Sequence, residues 1–204
     1  MTTVTPPGSN ISQQKLKNGS HVALRPISPG DTDALRQAFE KLSPQTRYQR
    51  FHAAVRELSP DWLRYLTGVD GVGHVAWVAV QADEIVGVGR FVLGPEGDAA
   101  EVAFVVADEL QGLGVGALLR DQLTEEARAR GVQFFEAEVL PDNAAIRRLL
   151  QAPNLELRRD TGRQLRLALR PASEAPPRAV SAGAAHGAHA ARNPPSTANG
   201  TPVT

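Results

Sequence analysis

Gln111-Gly112-Leu113-Gly114-Val115-Gly116-Ala117-Leu118-Leu119 joins a glycine-rich turn to the first turn of an amphipathic helix. The first amides of a helix lack intrahelical partners, and the aligned peptide dipoles place about half a positive charge there. Glycines allow positive φ and remove the side chains that would hold an anion away from those amides. The stretch therefore reads as a cradle for a pyrophosphate. Upstream, the β-branched and aromatic run Ala99–Val106 predicts a buried strand interrupted by one carboxylate, Glu101. Downstream, Val115, Leu119, Leu123 and Ala127 fall on one face, with Leu118 widening it, so a helix is predicted from about Gly114 to Arg130. Glu126 is placed to pair with Arg130, and Gly131 supplies a left-handed stop. A second strand is predicted over Val132–Val139, then a turn at Pro141-Asp142-Asn143 and a short helix from Ala144 to about Leu150.

Two familiar phosphate loops do not fit. No Lys-Ser or Lys-Thr follows the glycines, so a P-loop would lack its lysine and its magnesium hydroxyl. Gly112, Gly114 and Gly116 alternate instead of following Gly-x-Gly-x-x-Gly, and Ala107–Leu110 separates them from the strand, against a dinucleotide fingerprint. Gln111, Gly114 and Gly116 do match Gln/Arg-x-x-Gly-x-Gly/Ala, the pattern of the GNAT superfamily of acyl-CoA N-acyltransferases. The resemblance covers roughly residues 19–169. It extends through Leu24-Arg25-Pro26-Ile27 with Pro29-Gly30-Asp31, Glu84–Arg90, and Asn143-Ala144-Ala145-Ile146. Leu42-Ser43-Pro44-Gln45-Thr46-Arg47-Tyr48-Gln49-Arg50-Phe51 resembles the segment that sets the bacterial protein lysine acetyltransferases apart from small-molecule members.

The resemblance implies acetyl-CoA as co-substrate and a primary amine, foremost a protein lysine, as acceptor. A lysine amine ordinarily titrates at about pH 10.4, so less than about a thousandth is unprotonated at neutral pH, and a base or a path to water is needed. Glu101 resembles the glutamate that serves as general base, and burial beside an apolar pantetheine channel would raise its pKa. The main chain of Phe104, Val105 and Val106 is expected to pair with pantetheine and to supply an amide for the developing oxyanion, while their side chains serve the core. Gln111, Gly112, Leu113, Gly114, Val115, Gly116 and Ala117 are expected to hold the pyrophosphate. Asn143 is expected to contact CoA or fix its loop, and also reads as a helix N-cap. Where many members carry an acidic tyrosine this chain has Leu150, leaving solvent to protonate a thiolate whose thiol ordinarily titrates at about pH 8.5. Tyr48, Arg47 and Arg50 lie in the segment expected beside the acceptor, with helix surface and core-edge packing as the plainer role. His52, His74, His186 and His189 lack metal-ligand spacing, and no metal is expected.

The chain has 204 residues, 42% hydrophobic and 22% charged, enough for one domain core. The element order predicts an α/β (α+β) fold, and the resemblance implies the GNAT fold, a mixed central sheet of about six to seven strands flanked by helices. Ser59-Pro60 predicts the cap and first turn of a short helix through Tyr65. Residues 171–204 contain no Leu, Ile, Phe, Trp or Tyr and are expected to form a disordered tail, as are residues 1–18 an N-terminal arm, leaving 19–170 as the domain. With 22 basic and 22 acidic residues, nucleic acid is not an expected partner. No signal peptide or spanning segment is evident, so a cytoplasmic location without membrane partners is expected. Zero cysteines exclude disulfides and a cysteine nucleophile. A small amine such as a polyamine or amino sugar remains an alternative acceptor, and an acyl-CoA-binding regulatory module an alternative class. Related protein acetyltransferases are often fused to a synthetase-like region or a nucleotide-binding regulator; neither fits in these 204 residues, so any such regulation would have to come from another chain.

Overall fold

The computed structural model describes residues 12–170; the expected tail and the first eleven residues of the expected arm lie outside them. In chain order the strands and helices are β1 (Ser12–Lys15), β2 (His21–Pro26), α1 (Thr32–Lys41), α2 (Pro44–Phe51), α3 (Pro60–Thr67), β3 (His74–Gln81), β4 (Glu84–Leu93) and β5 (Ala99–Val106). There follow α4 (Val115–Ala129), β6 (Phe134–Glu138), α5 (Ala144–Leu150), β7 (Leu155–Asp160) and β8 (Gln164–Leu169). One sheet of eight strands runs in the order β1-β2-β3-β4-β5-β6-β8-β7. Neighbours are antiparallel except β5 and β6, which are parallel.

The α+β class holds, with one strand more than expected. The extra strand is β1, which pairs with β2 from Ser12↔Leu24 to Lys15↔His21. Leu16 behind it is buried. The folded unit thus begins before Gly19, because a strand of Ser-Gln-Gln-Lys is held by backbone pairing that its polar side chains do not advertise.

Two apolar layers cover the sheet. On one face α4 contributes Val115, Leu119, Leu123 and Ala127, all at 0% exposure, to a core with Phe91, Val102 and Phe135. The helix seats this closely because β4 presents glycines. A Cβ on Gly89 would stand 3.0 Å from Leu123 Cδ1 and 3.1 Å from the Phe104 ring. On the other face α1 and α3 cover Ala76, Val78, Ile85 and Val88. The ends of α4 match the sequence: Gly114 is the N-cap residue, Arg130 pairs with Glu126 at 2.6 Å, and Gly131 has φ 79°. Ser59 caps α3 by accepting from the Trp62 amide at 3.2 Å, with Pro60 in the first turn. Among the described residues no helix is long and apolar enough to cross a membrane.

Candidate active site

β5 and β6 pair only over Ala99↔Phe134, Ala100↔Phe135 and Glu101↔Glu136. β5 then continues to Val106 while β6 stops at Glu138, so the edge of β5 turned away from β4 loses its strand partner beyond Glu101. A cleft of about 660 Å³ occupies this divergence. It is bordered by Glu101, Phe104, Val105, Val106, Gln111, Gly112, Gly114, Gly116, Ala117 and Asn143 among others, so ten of the expected site residues converge on it. Leu113 and Val115 do not line it. Val115 is fully buried under the sheet, and Leu113 packs on the same core while its carbonyl accepts from the Lys17 amide at 3.1 Å. Their side chains point away because a helix start can face only its backbone amides and alternate residues toward one side.

The loop has the backbone its glycines foretold. Gly112 has φ 75° and Gly114 φ 110°, and a Cβ on either would meet no heavy atom within 4 Å. Both glycines line the cleft. α4 begins directly after, so its unpaired amides and dipole end at the cleft. Cations reach the same region: Lys17 donates to the Gly112 carbonyl at 3.2 Å, and Arg120 and the exposed Arg148 border the cleft. Arg120 is engaged with Asp121 at 2.7 Å and with the Leu149 carbonyl at 2.8 Å. These residues fit the pyrophosphate of a CoA thioester.

The Gln111 side chain is not free to meet a ligand. Its amide donates to the Val106 carbonyl at 3.1 Å and to Thr46 Oγ1 at 3.3 Å. Thr46 in turn donates to Asp108 at 2.6 Å, and Asp108 also accepts from the Ser43 hydroxyl at 2.8 Å and the Ser43 amide at 2.9 Å. The start of α2 is thereby tied to the loop. Partial desolvation works against the Asp108 charge, but the bonds from Ser43 and Thr46 outweigh it and hold the carboxyl below its ordinary range. Because the Val106 carbonyl is taken, strand alternation leaves Phe104 and Val102 as the β5 residues turned to the same open edge.

Glu101 stands at the end of the shared ladder, on the face of β5 that carries Ala103 and Val105. It is exposed and makes no hydrogen bond or ion pair among the described residues, contrary to the expected burial. The reason is the divergence itself, which opens one side of the residue to the cleft. Asn143 is buried and caps α5, its Oδ1 accepting from the Ile146 amide at 3.1 Å, while the residue still borders the cleft. Leu150 is 1% exposed in the core. Neither Tyr48 nor Tyr65 borders the cleft.

Arg47 is a staple: its guanidinium donates to the carbonyls of Leu42, Glu40 and Arg56 at 2.7–3.1 Å and stacks on Phe39. Arg50, Phe51, His52 and Trp62 do line the cleft, with His52 Nδ1 3.5 Å from Glu138. His52 and Glu138 are isolated in sequence and carry no motif that would have singled them out. Among the described residues no group of three or more His, Cys, Asp or Glu is placed to hold a metal.

Residues 35–152 match the acetyltransferase (GNAT) family. The chain belongs to that family. It is 37% identical over 139 residues to acetyltransferase Pat of Mycolicibacterium smegmatis, a match covering 67% of the chain and 41% of that relative. It is 33% identical over 151 residues to acetyltransferase PA5475 of Pseudomonas aeruginosa, covering 72% of the chain and 81% of the relative. The chain thus spans well under half of the first relative's length and most of the second's. The GNAT domain of PAT from S. lividans superimposes with a TM-score of 0.71 at 31% identity, covering 78% of this chain and 96% of that domain.

Proposed function

We propose that this acetyltransferase moves an acetyl group from acetyl-CoA to a primary amine, foremost a protein lysine, by direct attack in a ternary complex. The observation that carries this is the divergence of β5 from β6 between an amide-rich helix start and an unbonded carboxylate, Glu101. The loop from Gln111 to Ala117 holds the pyrophosphate, with Leu113 and Val115 contributing backbone alone, and Asn143 frames the far wall. Pantetheine lies along the open edge of β5, where Phe104 and Val102 turn their backbone groups. The thioester then ends near Glu101.

Glu101, directly or through water, takes the proton that the attacking amine must lose. The nitrogen bonds to the acyl carbon, a backbone amide of β5 steadies the oxyanion, and the carbon–sulfur bond breaks to release thiolate. Leu150 is buried and no tyrosine borders the cleft, so solvent supplies the thiolate's proton. The protein acceptor is favoured by α3: Trp62, 45% exposed, lines the cleft against Phe51, and Tyr65, 57% exposed, follows one turn later on the same helix. Clustered exposed aromatics suit a macromolecular surface better than a small polar amine. A cytoplasmic site of action suits a chain with no cysteine.

The test is thiol release from acetyl-CoA against purified proteins, lysine peptides, polyamines and amino sugars, with mass spectrometry of the products. Acetylated protein lysines are expected. Turnover with small amines alone would overturn the protein acceptor, and tight binding without release would favour a regulatory module.

A further inference from the structure

The sheet face beneath α1, α2 and α3 presents residues in rows. His74, Val92 and Glu101 lie side by side, and Ala76, Arg90 and Ala103 form the next row inward. Arg90 is thus set in the middle of a core face and is 6% exposed. It donates to His74 Nε2 at 3.2 Å and to the Leu66 carbonyl at 3.1 Å, both uncharged partners. His74 is held neutral by its own burial first and by Arg90 second, with Asp70 opposing.

A second arginine comes down from α2. Arg50 lies over the Phe51 ring at 4.9 Å and makes no hydrogen bond or ion pair among the described residues. Burial holds its guanidinium below the ordinary range, with Glu101 and the Tyr65 phenol opposing. Arg50 and Arg90 both border a cavity of about 50 Å³, roofed by Phe39, Leu42 and Leu58 and floored by Ala103 and Val105. That volume is room for a few water-sized groups. Arg50, Phe51, Ala103 and Val105 border the active-site cleft as well, so the cavity is its inward continuation.

Arg90 is buried and Arg50 half-buried at the cleft, and two like charges set beside an apolar cavity are costly when no carboxylate bonds to either of them. Burial first, and the repulsion of Arg50 second, push Arg90 down to about 9, with Tyr65 opposing. A protein could fill these positions with Leu and Met at no such cost. We propose that Arg50 and Arg90 bind a carboxylate that enters from the cleft. A guanidinium fork matches a carboxylate in two parallel hydrogen bonds, and the apolar roof strengthens them. The carboxylate is carried either by the far end of the donor's acyl chain, as in succinyl-CoA, or by an acidic side chain beside the acceptor amine. The donor route rests on the cleft being the acyl-CoA site.

The test uses pairs matched except for one carboxylate. Affinities for acetyl-CoA, butyryl-CoA and succinyl-CoA are measured by calorimetry. Thiol release is measured with two lysine peptides that differ by Glu or Gln next to the lysine. A charge-assisted hydrogen bond contributes about 1.5–3 kcal/mol, so the carboxylate member of one pair is expected to win by about tenfold or more. Which pair responds identifies the source. In Arg50→Gln the preference should shrink to about twofold, and Arg50→Lys should keep part of it. Equal behaviour of both pairs in the wild type, or a preference that survives in Arg50→Gln, overturns the proposal. The wild-type pairs decide alone if Arg50→Gln fails to fold. Failure of acetyl-CoA itself to bind would instead count against the cleft as the donor site.

Discussion

Replacing Gly114 by Ala separates what the loop does for the fold from what it does for a ligand. The residue sits at φ 110° and ψ −7°, where a side chain costs about 1–3 kcal/mol of backbone strain. Its added Cβ would meet no heavy atom within 4 Å, so no steric clash adds to that figure. For a domain of this size each kcal/mol lowers the midpoint by about 2–4 °C, which gives a fall of about 2–12 °C with a cooperative transition retained. The effect on acetyl-CoA should be larger. Gly114 lines the cleft, so the methyl group is expected to crowd phosphate oxygens approaching the amides, and each amide bond to a charged oxygen contributes about 1.5–3 kcal/mol. Losing two of them corresponds to a loss of affinity of about a hundredfold or more. Gly116→Ala is the comparison, because its Cβ would make only a tight contact with Leu149, at 3.4 Å, and its φ is helical. Titration calorimetry with acetyl-CoA reads both variants. An affinity for Gly114→Ala within about threefold of wild type would refute the loop's role as the pyrophosphate seat.

Removing the cations Lys17 and Arg148 together should weaken acetyl-CoA about two- to tenfold, as befits exposed charges, and raising the ionic strength should shrink the difference; titrations at two salt concentrations check this. Asp108→Asn should loosen α2 from the loop and lower stability by about 1–2 kcal/mol after allowing for solvent exposure. The Asp108 carboxyl is held below its ordinary range, so its contribution is fully present above about pH 4, the unfolded value, and is lost as the pH falls through the folded one. Melting curves of wild type and Asp108→Asn should therefore converge on acidification below about pH 4.

The elements around the opening stretch were legible because each carries a strong local signal. β5 has the predicted bounds, and α4 and α5 begin where a glycine and an asparagine say they should. What could not be read there depends on distance or on negative evidence. β1 is polar and paired only through its backbone, so nothing in Ser-Gln-Gln-Lys separates it from an arm, and Lys17 came to the loop unannounced. The bonds of Asp108 to Ser43 and Thr46 join segments far apart in the chain. Arg47 and Arg50 look alike in sequence, three residues apart on one short helix. One staples three carbonyls and the other faces the cleft, a difference set by what α1 and β5 place against them. The exposure of Glu101 follows from where the β5–β6 ladder stops, and pairing length is not written in either strand.

The base assignment is the central chemical claim, and Glu101→Gln tests it most directly. The side chain is exposed and unbonded among the described residues, so the change should move stability by no more than about 0.5 kcal/mol and leave acetyl-CoA affinity near wild type. Turnover under saturating acetyl-CoA with a lysine acceptor should fall about a hundredfold, the low end for a general base, because an open cleft leaves water as a substitute. A turnover number within about threefold of wild type, in a variant that folds and binds acetyl-CoA normally, would contradict the assignment.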